Sequence, residues 1–167
     1  MKYIVYDIET TGLNPWHGNQ ITCICARDSE GESLKECDRD QNETDLIKSF
    51  LAWVKQRKDH ILVSKNGIAF DIPFILARLT MKFCDLKYYD ALMLVRRCHV
   101  DLHTITKKWV SLDDMARMFK CGRKSGTGSN AIKLHEDGKY EELVSYCYQD
   151  VIITEQVYLR YERLSQL

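Results

Sequence analysis

The chain has 167 residues, enough for one domain with a substantial core that buries roughly 70% of the unfolded chain's surface. Apolar residues make up 45% and charged residues 29%, a globular balance that excludes a disordered or fibrous chain. The formal net charge is zero, which excludes adhesion to nucleic acid through bulk charge and leaves only local basic patches. No window is apolar for long enough to span a bilayer, so no membrane partner is expected. No basic segment followed by an apolar one marks a signal peptide, and the seven cysteines contain no C-x-x-C pair. A reduced, cytoplasmic setting is therefore expected. Cysteines in apolar runs, such as Cys23 and Cys25, act as small hydrophobes. Cys98, His99, His103 and Cys121 lack the paired spacing of a zinc site.

The chain opens on a β-branched, apolar run that ends in two carboxylates, Asp7 and Glu9, followed by Thr10, Thr11, Gly12 and Leu13. Residues two apart on a strand share a face, so both acids point the same way. Like charges at that spacing suit a hard divalent cation with oxygen ligands; a strand fraying into a polar turn is the plainer alternative. Residues 14–19 form a turn-rich loop, and 21–26 a second strand. Glu32 to Cys37 read as a third, exposed strand, giving an antiparallel meander. Asn42 with Asp45 three residues on resembles a capping box, opening a helix expected to end near Lys58. Residues 61–64 make a short apolar strand, parallel to the first because a helix precedes it. A second helix opens around Pro73.

Tyr88-Tyr89-Asp90 reads as a fifth strand. Ser111 and Asp114 cap the next helix, and Gly122 to Asn130 reads as a flexible loop without a phosphate-loop pattern. A long helix runs from about Tyr140 almost to the end. No repeat or linker appears, so residues 1–167 are expected to form a single α/β domain. Its sheet should be mixed and five-stranded, three antiparallel strands then parallel ones, flanked by helices.

Two further acidic features follow. Asp71 stands at a helix mouth after Asn66 and Phe70, where capping the helix is a sufficient reason for it. Tyr146 and Asp150, four apart, share one face of the last helix. Asp150 lies among apolar residues and needs a partner, a cation or water, while Tyr146 packed in the core is the simpler alternative.

In this order, D-x-E-T-T-G-L, N-x-x-x-F-D and Y-x-x-x-D resemble the three motifs of the DEDD superfamily of 3′–5′ exonucleases, on the ribonuclease H-like fold. The tyrosine in the last motif resembles the DEDDy branch, which includes proofreading domains of DNA polymerases. Ile72 to Ile75 with Arg78, and Asp90 to Arg96, are similar to segments of such domains. The resemblance implies two divalent metal ions, Mg²⁺ or Mn²⁺, held by Asp7, Glu9, Asp71 and Asp150. Asp7 would bridge both, Glu9 and Asp150 would hold the one activating water, and Asp71 would support the other. Tyr146 would position that water, since an unperturbed tyrosine with a pKa near ~10 is a poor base at neutral pH.

By the same resemblance Thr10, Thr11 and Leu13 line the terminal nucleotide, and Asn66 and Phe70 meet the substrate; core packing is the alternative for Leu13 and Phe70. The expected activity is hydrolysis at the 3′ end of single-stranded nucleic acid, DNA favoured, releasing nucleoside 5′-monophosphates. The alternatives are an RNA-processing exonuclease of the same superfamily and a non-catalytic nucleic-acid-binding accessory protein. No polymerase region follows, so a free-standing enzyme or a subunit of a polymerase, replication or repair assembly is expected. Basic residues near the loop (Arg117, Lys120, Arg123, Lys124) would guide a single strand, unless they are only a solvated face.

Overall fold

A computed structural model describes residues 1–39, 42–82, 88–106, 108–122 and 128–165. Arg123 and Lys124 lie outside the described residues, as does most of the loop expected before Asn130. The strands are β1 (Tyr3–Thr10), β2 (Ile21–Asp28), β3 (Ser33–Cys37), β4 (Ile61–Ser64) and β5 (His99–Asp101). They form one sheet in the order β3-β2-β1-β4-β5. β2 runs antiparallel to both its neighbours, β1 and β3; β4 and β5 are parallel additions. The helices are α1 (Glu43–Lys55), α2 (Asp71–Lys82), α3 (Tyr88–Arg96), α4 (Leu112–Phe119), α5 (Gly128–Glu136) and α6 (Tyr140–Ser165).

Alternation along β1 builds a core on each side of the sheet. Ile4, Tyr6 and Ile8 pack with Leu46, Phe50, Ile75 and Leu94 from α1, α2 and α3. Tyr3 and Val5 face the other way, with Leu143, Cys147 and Val151 of α6 and with residues of α4 and α5. By this parity Asp7 and Glu9 fall on the α6 face, as the two-residue spacing requires. β3 is the exposed edge. α1 is capped by Asn42, whose side chain accepts from the Asp45 N–H, and α4 by Ser111, which accepts from the Asp114 N–H.

Three expectations are corrected. Tyr88 to Asp90 belong to α3, and the fifth strand is β5. Leu94 is buried while Val95 and Arg96 are exposed, so burial along this segment fits one helical face and overrides the strand preference of paired tyrosines. The first helix ends at Lys55, because Arg57 turns back to the buried carboxylate of Asp28 at 2.7 Å. The loop expected to reach Asn130 gives way at Gly128 to α5.

Candidate active site

β4 pairs with β1 only as far as Val5, so the end of β1 runs past its parallel neighbour. Backbone groups freed in this way need other partners. Asp71, opening α2, supplies one: its Oδ1 accepts from the Ile8 N–H at 3.2 Å. Asp71 is buried, and burial pushes its carboxyl from the ordinary 3.8 up to about 7, with Asp101 adding to the shift and the Ile8 N–H opposing it. Across the sheet, Asp7 stands opposite Cys25 and Glu9 opposite Cys23, with an irregularity in register immediately after Glu9. Ligating oxygens of Asp7 and Glu9 and the Sγ of Cys147 all lie within 4.8 Å of one another. The Cys147 thiol donates to the Asp7 backbone carbonyl at 3.5 Å.

The Asp7 and Glu9 oxygens are hard donors from a rigid strand and fit a divalent cation such as Mg²⁺ or Mn²⁺. Asp150 is buried on α6, three residues beyond Cys147, and Tyr146 is buried one residue before it. Among the described residues, no group of three ligating atoms within 4.8 Å includes Asp71 or Asp150. The structure thus joins Asp7 and Glu9 directly, and brings Asp71 to the same strand through the Ile8 N–H.

Beside Glu9 is a cavity of about 330 Å³ lined by Ile8, Glu9, Thr10, Gly12, Leu13, Phe70, Gly128, Ser129 and Ile132. Leu13 is 84% exposed, so core packing does not account for it. Phe70 is half-buried, its ring 5.5 Å from that of Phe74. Thr10 closes the turn through its hydroxyl, which donates to the Gly12 carbonyl at 2.7 Å. Thr11 and Asn66 do not line this cavity. The Thr11 hydroxyl accepts from the Gln20 N–H, and Asn66 takes a φ of 68° and accepts from the Ala69 and Phe70 N–H groups. Tyr146 instead lines a second cleft of about 470 Å³ between α5 and α6, with Lys133, Asp137 and Gln149.

Residues 17–166 match a family described as a predicted 3′–5′ exonuclease related to the exonuclease domain of PolB. The chain belongs to this family. The matched span contains Asn66, Phe70, Asp71, Tyr146 and Asp150 and begins after Asp7 and Glu9. The family B DNA polymerase of the hyperthermophilic archaeon Pyrobaculum calidifontis superposes over 96% of this chain with a TM-score of 0.78 and 18% identity, and the match covers 24% of that chain. The fold of this exonuclease-family chain is thereby the ribonuclease H-like one. DNA polymerases of the Bombyx mori and Autographa californica nuclear polyhedrosis viruses are each 40% identical over 50 residues, 30% of this chain. The match spans 5% of the length of either viral polymerase.

Sequence reasoning missed two contributors to the site of this family member. Asp101, ending β5, accepts from the N–H groups of Asn66 at 2.7 Å, Ile68 at 3.0 Å and His103 at 2.9 Å. This carboxylate shapes the loop that carries Asn66 and Phe70. Its sequence signal was an acid before a short 3-10 turn, which is common in turns and points to no ligand. The second is α5, whose Gly128, Ser129 and Ile132 close the cavity; two glycines and two hydroxyl residues just before it, with a third glycine as its first residue, disguised the helix as loop. Arg78, noted only by resemblance, is buried and bidentate to Glu43 at 2.8 and 2.7 Å. Glu43 also accepts from the Ile21 N–H, so the pair ties α1 and α2 to the start of β2. Cys98, His99, His103 and Cys121 form no ligand cluster among the described residues, and His99 bonds to Ser64 at 2.8 Å. No described helix is long and apolar enough to cross a membrane.

Proposed function

We propose that this chain is a single-domain, metal-dependent 3′–5′ exonuclease of the DEDDy type, acting on the 3′ ends of single-stranded DNA and releasing nucleoside 5′-monophosphates. The observation that carries the reading is the convergence of the Asp7 and Glu9 oxygens within 4.8 Å, beside a cavity of about 330 Å³ bearing an exposed Leu13 and the Phe70 ring. Asp7, Glu9, Asp71 and Asp150 would hold two divalent cations, Mg²⁺ or Mn²⁺. Such ions stabilise charge on the attacking and leaving oxygens of a phosphodiester. Leu13 and Phe70 offer apolar surface to the terminal base, and Thr10 and Thr11 form the turn beside its sugar. Asn66 presents the loop to the backbone, and the Tyr146 hydroxyl orients the attacking water. DNA is favoured over RNA because the named relatives are DNA polymerases. A polymerase or a repair assembly is the corresponding partner.

The test is incubation with end-labelled single-stranded DNA and RNA in Mg²⁺, Mn²⁺ or EDTA. Stepwise loss from the 3′ end is expected with either ion, slowed by a 3′ block and not by a 5′ block. Activity that survives EDTA refutes the metal-dependent reading. RNA degraded faster than DNA transfers the assignment to the RNA-processing alternative.

A further inference from the structure

Four of the seven cysteines meet on one face of the sheet. Cys23 and Cys25 are two apart on β2 and point the same way, and Cys37 of β3 stands directly opposite Cys23. Cys147 descends on them from α6. The three sulfurs of Cys23, Cys25 and Cys147 lie within 4.8 Å of one another, and all three residues are buried. The Cys23 and Cys25 sulfurs are 3.9 Å apart. Four thiolates at ~2.3 Å around a tetrahedral Zn²⁺ lie ~3.8 Å from each other. The first pair already has that spacing, and bringing Cys147 to it needs a movement of no more than ~1 Å.

We propose that Cys23, Cys25 and Cys147, with Cys37 as fourth donor, form a binding site for a thiophilic d¹⁰ cation, Zn²⁺ foremost. This soft-donor site is chemically distinct from the hard-oxygen pair Asp7 and Glu9, and the two lie next to each other. Asp7 is the cross-strand neighbour of Cys25, and Glu9 that of Cys23. Cys23, Cys25 and Cys147 are fully buried, and the cluster comes nearest the surface at Cys37. A surface cleft of about 450 Å³ is lined by Lys35, Cys37, Arg39, Glu141 and Val144, and the Cys25 thiol points to the Val144 carbonyl at 3.7 Å. On binding, each thiol loses its proton to solvent and its sulfur lone pair forms the metal bond. Cys147 then gives up its S–H contacts to the Asp7 carbonyl and to Asp7 Oδ2. Occupancy of the sulfur site therefore changes the contacts of Asp7.

The direct test is titration of fully reduced protein with Cd²⁺ in excess Mg²⁺, followed by the ultraviolet thiolate-to-cadmium charge-transfer band, with Zn²⁺ as competitor. One equivalent is expected to bind with release of protons, and a large excess of Zn²⁺ is expected to displace it. Cys25→Ala and Cys147→Ala should abolish the band. Cys37→Ala, changed at a half-buried position, should weaken affinity at least ten-fold. Far-ultraviolet circular dichroism of each metal-free variant shows whether it is folded, and Cys37→Ala serves as the test if a core variant is not. Asp7→Asn should keep the band, as should Cys98→Ala at an exposed cysteine. Absence of a band in the reduced wild type, its persistence in folded Cys25→Ala, or its loss in Asp7→Asn overturns the proposal.

Discussion

Asp71→Asn separates a metal ligand from a structural carboxylate. The substitution keeps an oxygen able to accept from the Ile8 N–H, whose bond to Asp71 is 3.2 Å, and removes the charge. Burial raises the Asp71 carboxyl from 3.8 to about 7, so the folded metal-free protein holds a proton there that the unfolded chain has already released. The stability associated with that proton is intact below pH 3.8 and is lost as pH rises to about 7. At ~1.4 kcal/mol per unit, the wild type loses ~1.6 kcal/mol by pH 5 and ~4 kcal/mol by pH 8. Asparagine carries no such loss. In the absence of metal, Asp71→Asn should exceed the wild type in stability by a margin that widens by roughly 2.5 kcal/mol between pH 5 and pH 8.

Urea denaturation in EDTA reads this as a widening difference between the midpoints, on the order of 1 M at an m-value of ~2 kcal/mol/M. In Mn²⁺ the margin at pH 8 should narrow. The wild type gains ~2.7 kcal/mol at a hundred times the dissociation constant, and the variant loses most of that gain. A margin that stays flat with pH, or a variant less stable than wild type at pH 8 in EDTA, would refute the reasoning. Asp71 would then be a charged helix cap whose ionised form the fold prefers.

Tyr146→Phe removes a buried hydroxyl and no carboxylate; turnover should fall at least ~10-fold, in the range of lost positioning groups, with the Mn²⁺-induced shift in melting temperature retained. Unchanged rates in steady-state assays would make Tyr146 a packing residue of the α5–α6 cleft. Asp101→Asn sets an amide group against the N–H donors of Asn66, Ile68 and His103, and should cost ~1–3 kcal/mol of stability. Its KM for single-stranded DNA should rise while metal affinity measured by calorimetry holds. Gly67→Ala would place a Cβ 2.4 Å from Ser64 Oγ and 2.7 Å from the buried Tyr6 hydroxyl, so thermal melts should show a loss of ~1–3 kcal/mol.

The alternation of Tyr3 to Glu9 determined both the central strand and the shared face of the two acids, because side-chain period two is a local property of extended chain. Caps at Asn42 and Ser111 were equally local, each a side chain satisfying an N–H three residues on. The order of the three acidic motifs was enough to suggest the family. Tertiary structure decided the rest. It put the fifth strand at His99 to Asp101 and made Tyr88 to Arg96 a helix, since a three-residue strand exists only through its neighbour β4. It turned Asp71 into a partner of Ile8, made Asp101 the holder of the 66–70 loop, and brought Cys147 onto Cys23 and Cys25. Each pairing joins residues at least 33 positions apart. No local period or turn preference encodes such a contact; it follows from which strand ends where and which face a distant helix covers.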